Sequence, residues 1–375
     1  MVLYGHRLGA RATGIARYID ELTVGLRDRP AEGLAYELGG SPEPDGAPPA
    51  AAGLAVHRPP VPRLALHASW TALHRPAVDR WLGRPDLIHV LYPSTPVPAR
   101  ARLVVTIHDL MPILNPDWHG RAERVMFTRA VHHAAGHAAV LIANSQKTRA
   151  EVIEHLGVEP DRVVVVHLGT TRSFATPADP AAVAATARRV GFEPGSYLLM
   201  LGTVSTRKDP TTALAALARS AEATRRNVPL VLVGPAGVGI ERITASVAEL
   251  GLTDRVVFAG WRPADEVRDL VAGAMAMLHP STDEGFGMPP LEAMAAGVPV
   301  LVSSAGSLPE VCGDAGLTAA PGDVDAWAAA LDRLIADDSL RADLTRRGRE
   351  QAAGFTWERT AAETAAVYRR VLGLD

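Results

Sequence analysis

Cysteine occurs once in the 375 residues, as Cys312, so no intrachain disulfide can form and a reducing compartment is expected. No apolar run reaches the length of a membrane-spanning helix. The opening Met1-Val2-Leu3-Tyr4-Gly5-His6-Arg7 lacks the apolar core of a signal peptide. Neither sign of charge dominates: a net charge of −3 supplies no basic surplus for nucleic acid or an anionic membrane. These absences lead us to expect a cytoplasmic protein with no nucleic-acid partner. What remains is ordinary for a globular chain, 47% hydrophobic and 21% charged, at a length that suits two domains better than one core.

Short apolar runs alternate with helix-length amphipathic segments, the pattern of a parallel α/β sheet. In the first half the strand candidates are Val2–His6, Leu87–Leu91, Leu103–Ile107, Val140–Ala143 and Val163–His167. Helices fit Gly14–Leu26, Arg121–His137 and Gln146–Leu156. The Pro/Gly/Ala-rich run Arg29–Arg63 reads as irregular, with brief strands near Tyr36–Leu38 and Leu54–His57. Strand character is lost over 173–195, where Pro177, Pro180 and Pro194 suit a hinge. The alternation then restarts with strands at Tyr197–Leu201, Leu230–Val233, Val256–Phe258, Met275–His279 and Pro299–Val302. Helices at Asp325–Ala336, Ser339–Ala352 and Trp357–Leu372 close the chain. Two doubly wound domains of this kind bind ligands at the carboxyl ends of their strands.

The densest chemistry lies in Asp283-Glu284-Gly285-Phe286-Gly287-Met288-Pro289-Pro290-Leu291-Glu292. A glycine-punctuated loop there runs into a helix opened by paired prolines, which tolerate the first turn because their missing N–H would be unpaired anyway. Helix N-termini attract anions, and glycine lets backbone approach a ligand. A sugar bearing phosphate suits the site: hydroxyls for Glu284 and Glu292, negative charge for the amides. In Leu201-Gly202-Thr203-Val204-Ser205-Thr206-Arg207-Lys208-Asp209, a glycine turn after a strand carries two adjacent cations, which suit a diphosphate. Read alone, the same pair is equally a solvated turn. A third strand, Val104-Val105-Thr106-Ile107, ends in His108-Asp109.

Glu-x7-Glu within EGFGMPPLEAMAAGVPV resembles the signature of the family 4 glycosyltransferases, retaining enzymes of the GT-B architecture. The resemblance runs nearly end to end. It implies two Rossmann-like doubly wound domains facing a cleft: residues 1–172 for the acceptor, a hinge at 173–195, and 196–355 for the nucleotide sugar. A last helix, 356–375, would cross back to the first domain, entered at Phe355-Thr356-Trp357 with Thr356 as its cap. Carried over by motif, Gly202 and Lys208 would hold the donor phosphate, with Arg207 beside them and Thr203 where many members place arginine. Glu292 would accept from ribose hydroxyls. Glu284 and His108 would face the donor sugar, and the backbone of Phe286, Gly287, Met288 and Leu291 would line it. Gly14 and Arg17, in the loop 8–18, would serve acceptor or donor phosphate, with Ala16 where glycine is common. Thr171 stands where the family often has aspartate. Asp109 either orients His108 or caps the next segment, and Glu310 either lines the cleft or closes a turn.

The expected reaction is metal-independent, needs no cofactor beyond the nucleotide sugar as co-substrate, and delivers a hexosyl unit to a small-molecule, glycan or lipid-linked acceptor. Alternatives are a nucleotide-sugar 2-epimerase of the same architecture and a non-catalytic sugar-nucleotide-binding subunit. Asp323-Val324-Asp325 imitates a metal-binding Asp-x-Asp but opens a helix after Pro321-Gly322, so capping is expected. His133 and His137 have i, i+4 spacing without a third metal ligand in sequence. The segment Leu64–Leu82, with Trp70 and Trp81, is read as a surface helix; peripheral contact with the inner face of a membrane is the other reading. Base, sugar, acceptor and oligomeric state are not encoded in any motif.

Overall fold

The computed structural model describes residues 1–8, 14–29, 33–42 and 52–374. The chain forms two compact units, Met1–Gly169 with Thr356–Asp375, and Thr170–Phe355. Among the described residues of the first, seven parallel strands are β1 (Val2–Leu8), β2 (Glu37–Pro42), β3 (Val56–His57), β4 (Leu87–Val90), β5 (Arg102–Ile107), β6 (Val140–Ala143) and β7 (Val163–Val165). They lie in the order β3-β2-β1-β4-β5-β6-β7. Strands covered by helices on both faces need apolar residues at every position, and β4 and β6 are buried throughout.

The exception inside β4 is His89, fully buried yet satisfied. Its Nε2 meets Thr106 Oγ1 at 2.8 Å and its Nδ1 meets the Tyr368 hydroxyl at 2.6 Å. Tyr18 joins the same Thr106 oxygen at 2.9 Å. The network ties the C-terminal helix Trp357–Leu372 to β4, β5 and the first helix, Gly14–Asp28. Thr356 caps that C-terminal helix by accepting the Arg359 amide at 3.1 Å. Trp70 is fully buried and stacks on Trp81 at 6.0 Å, so it serves the core and not a surface. The helix that carries it, Arg63–Leu73, does expose Leu64 and Leu73. Among the described residues no helix is long and apolar enough to cross a membrane.

The second unit has six parallel strands: β8 (Leu198–Leu201), β9 (Leu230–Val233), β10 (Val256–Gly260), β11 (Ala276–His279), β12 (Val300–Ser303) and β13 (Leu317–Ala319). Their order is β10-β9-β8-β11-β12-β13. The edge strand β13 is too short and too exposed to announce itself in sequence. The stretch 173–195, expected as a hinge, contains the helix Pro180–Arg189 and belongs to this unit. Asp179 caps it by accepting the Ala181 amide at 3.0 Å, and Thr186 donates to Asp269 at 3.2 Å. Proline there started a helix where the sequence reading took it for a break. Asp323 caps Val324–Ala336 through the Ala326 amide at 3.0 Å, the role its sequence context implied.

In both sheets strand order reverses beside the first strand of the unit, between β1 and β4 and between β8 and β11. Such reversals splay the flanking loops and open a crevice at the carboxyl ends of the strands.

Candidate active site

At the reversal in the second sheet, two segments distant in sequence meet. After β8 the chain turns at Gly202 (φ +127°), exposes Thr203 and winds one 3₁₀ turn, Thr206–Lys208. After β11 it runs from His279 through Ser281 to Glu284. Arg207 and Lys208 from the first segment clasp Glu284 from the second. Lys208 Nζ pairs with Oε1, and Arg207 Nη1 lies 3.1 Å from Oε2. His279 Nε2 also meets Oε1, at 3.0 Å. The supporting backbone is equally tied: Arg207 donates to Asp283 O at 3.0 Å, and the Thr282 amide donates to Arg207 O at 3.0 Å. Ser307 donates to Glu284 O at 3.0 Å. At Gly306 a Cβ would fall 2.6 Å from the Glu284 nitrogen, so only glycine lets that loop pass.

Electrostatics follow from this packing. Burial by itself would raise Glu284, but the charges of Lys208 and Arg207 outweigh it and hold the carboxyl well below its usual range. Glu284 is therefore ionised. Burial draws Lys208 down, with Arg207 adding to the effect and Glu284 opposing it. His279 falls to about 4, through burial first and then the Lys208 charge. A neutral imidazole beside a carboxylate must donate, so Nε2 carries its proton. Removing one partner from so buried a cluster costs about 3–5 kcal/mol, because the rest stay uncompensated.

Next along the chain, Gly287 (φ +100°) precedes the helix Met288–Ala296, with Pro289 and Pro290 in its first turn. Glu292 on that helix is 2% exposed and accepts from Thr171 Oγ1 at 3.2 Å. Phe286 is buried and meets Phe355 edge-on at 6.0 Å. Leu291 is fully buried and its amide donates to Gly287 O at 3.4 Å. Met288 is half-buried.

In the first unit, His108 follows β5 and is 8% exposed. Nε2 donates to the Leu91 carbonyl at 3.0 Å, beyond the end of β4, and burial lowers the ring to about 4. Neutral His108 thus keeps Nδ1 as a lone pair. Tyr18 meets it edge-on at 4.6 Å, and Thr148 donates to its carbonyl at 3.3 Å. Asp109 accepts the Met111 amide at 3.0 Å, just ahead of the short helix Met111–Leu114. Gly14 is exposed and Arg17 half-buried at the start of their helix; the remainder of that loop, 9–13, lies outside the described residues. Ser307 stands at the start of the helix Leu308–Cys312, which carries the half-buried Glu310.

Two site residues escaped the sequence reading. His279 ends a strand five positions before Glu284, the same placement that drew notice to His108, and no motif flagged it. Thr171 was noted only as a departure from aspartate. Its contact with Glu292 spans 121 positions, beyond any local pattern. His133 and His137 bond to backbone carbonyls, and among the described residues no cluster of three metal-ligating side chains occurs.

Two doubly wound parallel sheets, with an anionic–cationic clasp at one reversal point, define an α/β protein with charged side chains gathered at strand ends. Residues 186–351 match the glycosyl transferases group 1, and residues 12–173 match glycosyltransferase family 4. O-antigen chain mannosyltransferase B of Escherichia coli is 33% identical over 269 residues, 72% of this chain and 70% of that one. A D-inositol 3-phosphate glycosyltransferase of Salinispora arenicola is 32% identical over 320 residues, 78% and 70% of the two chains. The solved structure of Anabaena HepE with UDP and glucose matches at TM-score 0.74 and 22% identity, covering 98% of this chain and 99% of that one. That likeness shows the fold, which is GT-B. The chain belongs to the group 1, family 4 glycosyltransferases.

Proposed function

We propose that this glycosyltransferase moves a hexosyl unit from a nucleoside diphosphate sugar to an acceptor hydroxyl, with retention at the anomeric carbon, in the assembly of a glycan or glycosylated natural product. The observation that carries the reading is the Arg207–Lys208 pair beside Glu284 at the reversal of the second sheet. Cations fixed there would stabilise charge growing on a leaving diphosphate, with no reorganisation at the moment of bond breaking. Side-chain charge would then do what a metal does in other transferases. The first turn of Met288–Ala296 adds amide dipoles, and Glu292 suits a ribose diol. Glu284 is assigned to the sugar, supporting an oxocarbenium-like state. We name no covalent nucleophile. HepE was solved with UDP, and the first relative is a mannosyltransferase, which together support nucleotide-sugar chemistry without choosing base or sugar. Trp261, 56% exposed after β10, is a surface on which a base could rest.

Thermal shift against nucleoside diphosphates and their sugars tests the reading. Stabilisation grows as RT ln(1 + [L]/Kd), about 2.7 kcal/mol at a hundredfold excess over Kd. A melting temperature unmoved by every uridine, guanosine, adenosine and thymidine diphosphate would defeat it. Following the best donor by NMR, with and without acceptor alcohols, separates transfer from epimerisation, because an epimerase converts donor alone.

A further inference from the structure

The first unit contains a cavity of about 870 Å³ that the catalytic reading does not use. It lies at the wrong edge of the sheet for that reading. Its walls include Pro98 to Leu103, which lead into β5, and the last turn of the helix Arg121–His137, which precedes β6. These are amino ends of strands. His108 follows the other end of β5, roughly 16 Å away along the strand.

Six basic side chains line the cavity: His74, Arg75, Arg80, Arg100, His133 and His137; no carboxylate does. That concentration contrasts with a chain of net charge −3. Arg75, Arg80 and Arg100 are all exposed, and among the described residues none of the three guanidiniums has an ion-pair or hydrogen-bond partner. The histidines form a column. His74 stacks on His133 at 5.6 Å and His133 on His137 at 4.2 Å. Two of the rings are fixed by donation to backbone: His133 to Val97 O at 3.1 Å, His137 to His133 O at 2.9 Å.

The frame behind these groups is built. Buried Asp79 accepts the Arg100 and Ala101 amides at 2.8 and 2.7 Å, and the Val78 amide donates to Pro98 O at 2.8 Å. One acid is thus spent on backbone, which sets Arg80 and Arg100 on a common lip. On the other side, Trp70 Nε1 donates to Pro76 O at 2.8 Å and Ser69 donates to Arg75 O, fixing the corner that carries Arg75. Like charges gathered on a stiff concave frame repel one another, an arrangement that an anion relieves.

We propose that this basin binds a ligand carrying clustered phosphate groups, at a site separate from the one that holds the transferred sugar. Guanidinium forks match phosphate oxygens in pairs. Three of them around one cavity exceed what a single carboxylate would need, and the volume falls in the range of small-molecule sites.

The test titrates sodium tripolyphosphate into the full chain by calorimetry, without divalent metal. The comparison is wild type, the triple variant Arg75→Ala/Arg80→Ala/Arg100→Ala, and Lys208→Ala. The triple variant should lose at least tenfold in affinity at one class of site, a class that Lys208→Ala leaves unchanged whatever it does to binding at the Arg207–Lys208 pair. An unchanged melting temperature for the triple variant shows that these exposed side chains were not holding the fold. Equal binding by wild type and triple variant overturns the proposal, as does binding that Lys208→Ala abolishes and the triple variant keeps. Flotation with phosphatidylglycerol vesicles, against phosphatidylcholine alone, identifies the source. Capture that the triple variant loses and tripolyphosphate competes assigns the phosphate to a lipid headgroup; no capture, with tripolyphosphate binding intact, assigns it to a soluble ligand.

Discussion

The carboxyl edges of the two sheets differ in charge although their strand orders correspond. At the second, Lys208, Arg207 and Glu284 form a buried clasp around which His279 stays neutral. At the first, His108 is surrounded by neutral partners: the Leu91 carbonyl, the Tyr18 ring and the Thr148 hydroxyl. One topology therefore supplies two kinds of site. We propose that the charged edge takes the diphosphate, whose charge rises as it leaves, and that the edge carrying His108 takes hydroxyl groups. Catalysis gains only from contacts that strengthen in the transition state, so the charged edge should dominate turnover.

Lys208→Ala should have the largest effect, lowering kcat by about 10²–10³-fold, the usual loss when one preorganised charge-stabilising group is removed. Arg207 and His279 remain to hold Glu284, so the fold should survive. Steady-state kinetics on the donor found by thermal shift would show it. Turnover within threefold of wild type would take the clasp out of the chemistry and erase the contrast between the edges.

Acid should separate the units by a different route. His108 and His279 drop to about 4 and His89 to about 3, from 6.5, all chiefly through burial. A depressed histidine contributes stability in full above its unfolded value and loses it as pH falls toward the folded value. The window is pH 6.5 down to 4, worth up to roughly 3 kcal/mol for one ring lowered from 6.5 to about 4. Glu284 is also depressed, but its share is complete above the ordinary carboxylate range and is lost only at lower pH. With His133, also lowered chiefly by burial, three such histidines lie in the first unit and one in the second. Between pH 7 and pH 5 hydrogen exchange should therefore rise more in β4 and β5 than in β8 and β11. Equal loss of protection would mean that burial of His89 is compensated in the unfolded chain.

How far these edges were readable from sequence depends on the range of the contacts. Strand existence was legible, because buried parallel strands are apolar at every position; β6 matched its expected bounds, Val140–Ala143. The short exposed β13 carried no such signal. Proline at 180 was misread because a helix start and a chain break share that residue, and only the Asp179 cap distinguishes them. Lys208, Arg207 and Glu284 were picked out individually. Their mutual clasp was not, since it joins segments 76 positions apart. The basic basin was not legible as one site for the same reason: its arginines and histidines come from three stretches, two of which drew notice separately, as a helical histidine pair and as a surface helix.

Thr171 and Glu292 provide the smallest and sharpest test of the charged edge. Glu292→Ala should weaken nucleotide diphosphate binding by about 1–3 kcal/mol, the range for a hydrogen bond to a charged group and the penalty of losing it. Thr171→Val keeps shape and removes only the hydroxyl that donates to Glu292 at 3.2 Å. If that hydroxyl merely aims the carboxylate, its loss should cost about 0.5–1.5 kcal/mol. In the double variant the effect should vanish, because no carboxylate remains to be aimed; a double-mutant cycle by calorimetry reads that coupling directly. Additive losses would show that Thr171 meets the ligand itself, leaving the orientation of Glu292 to its own helix.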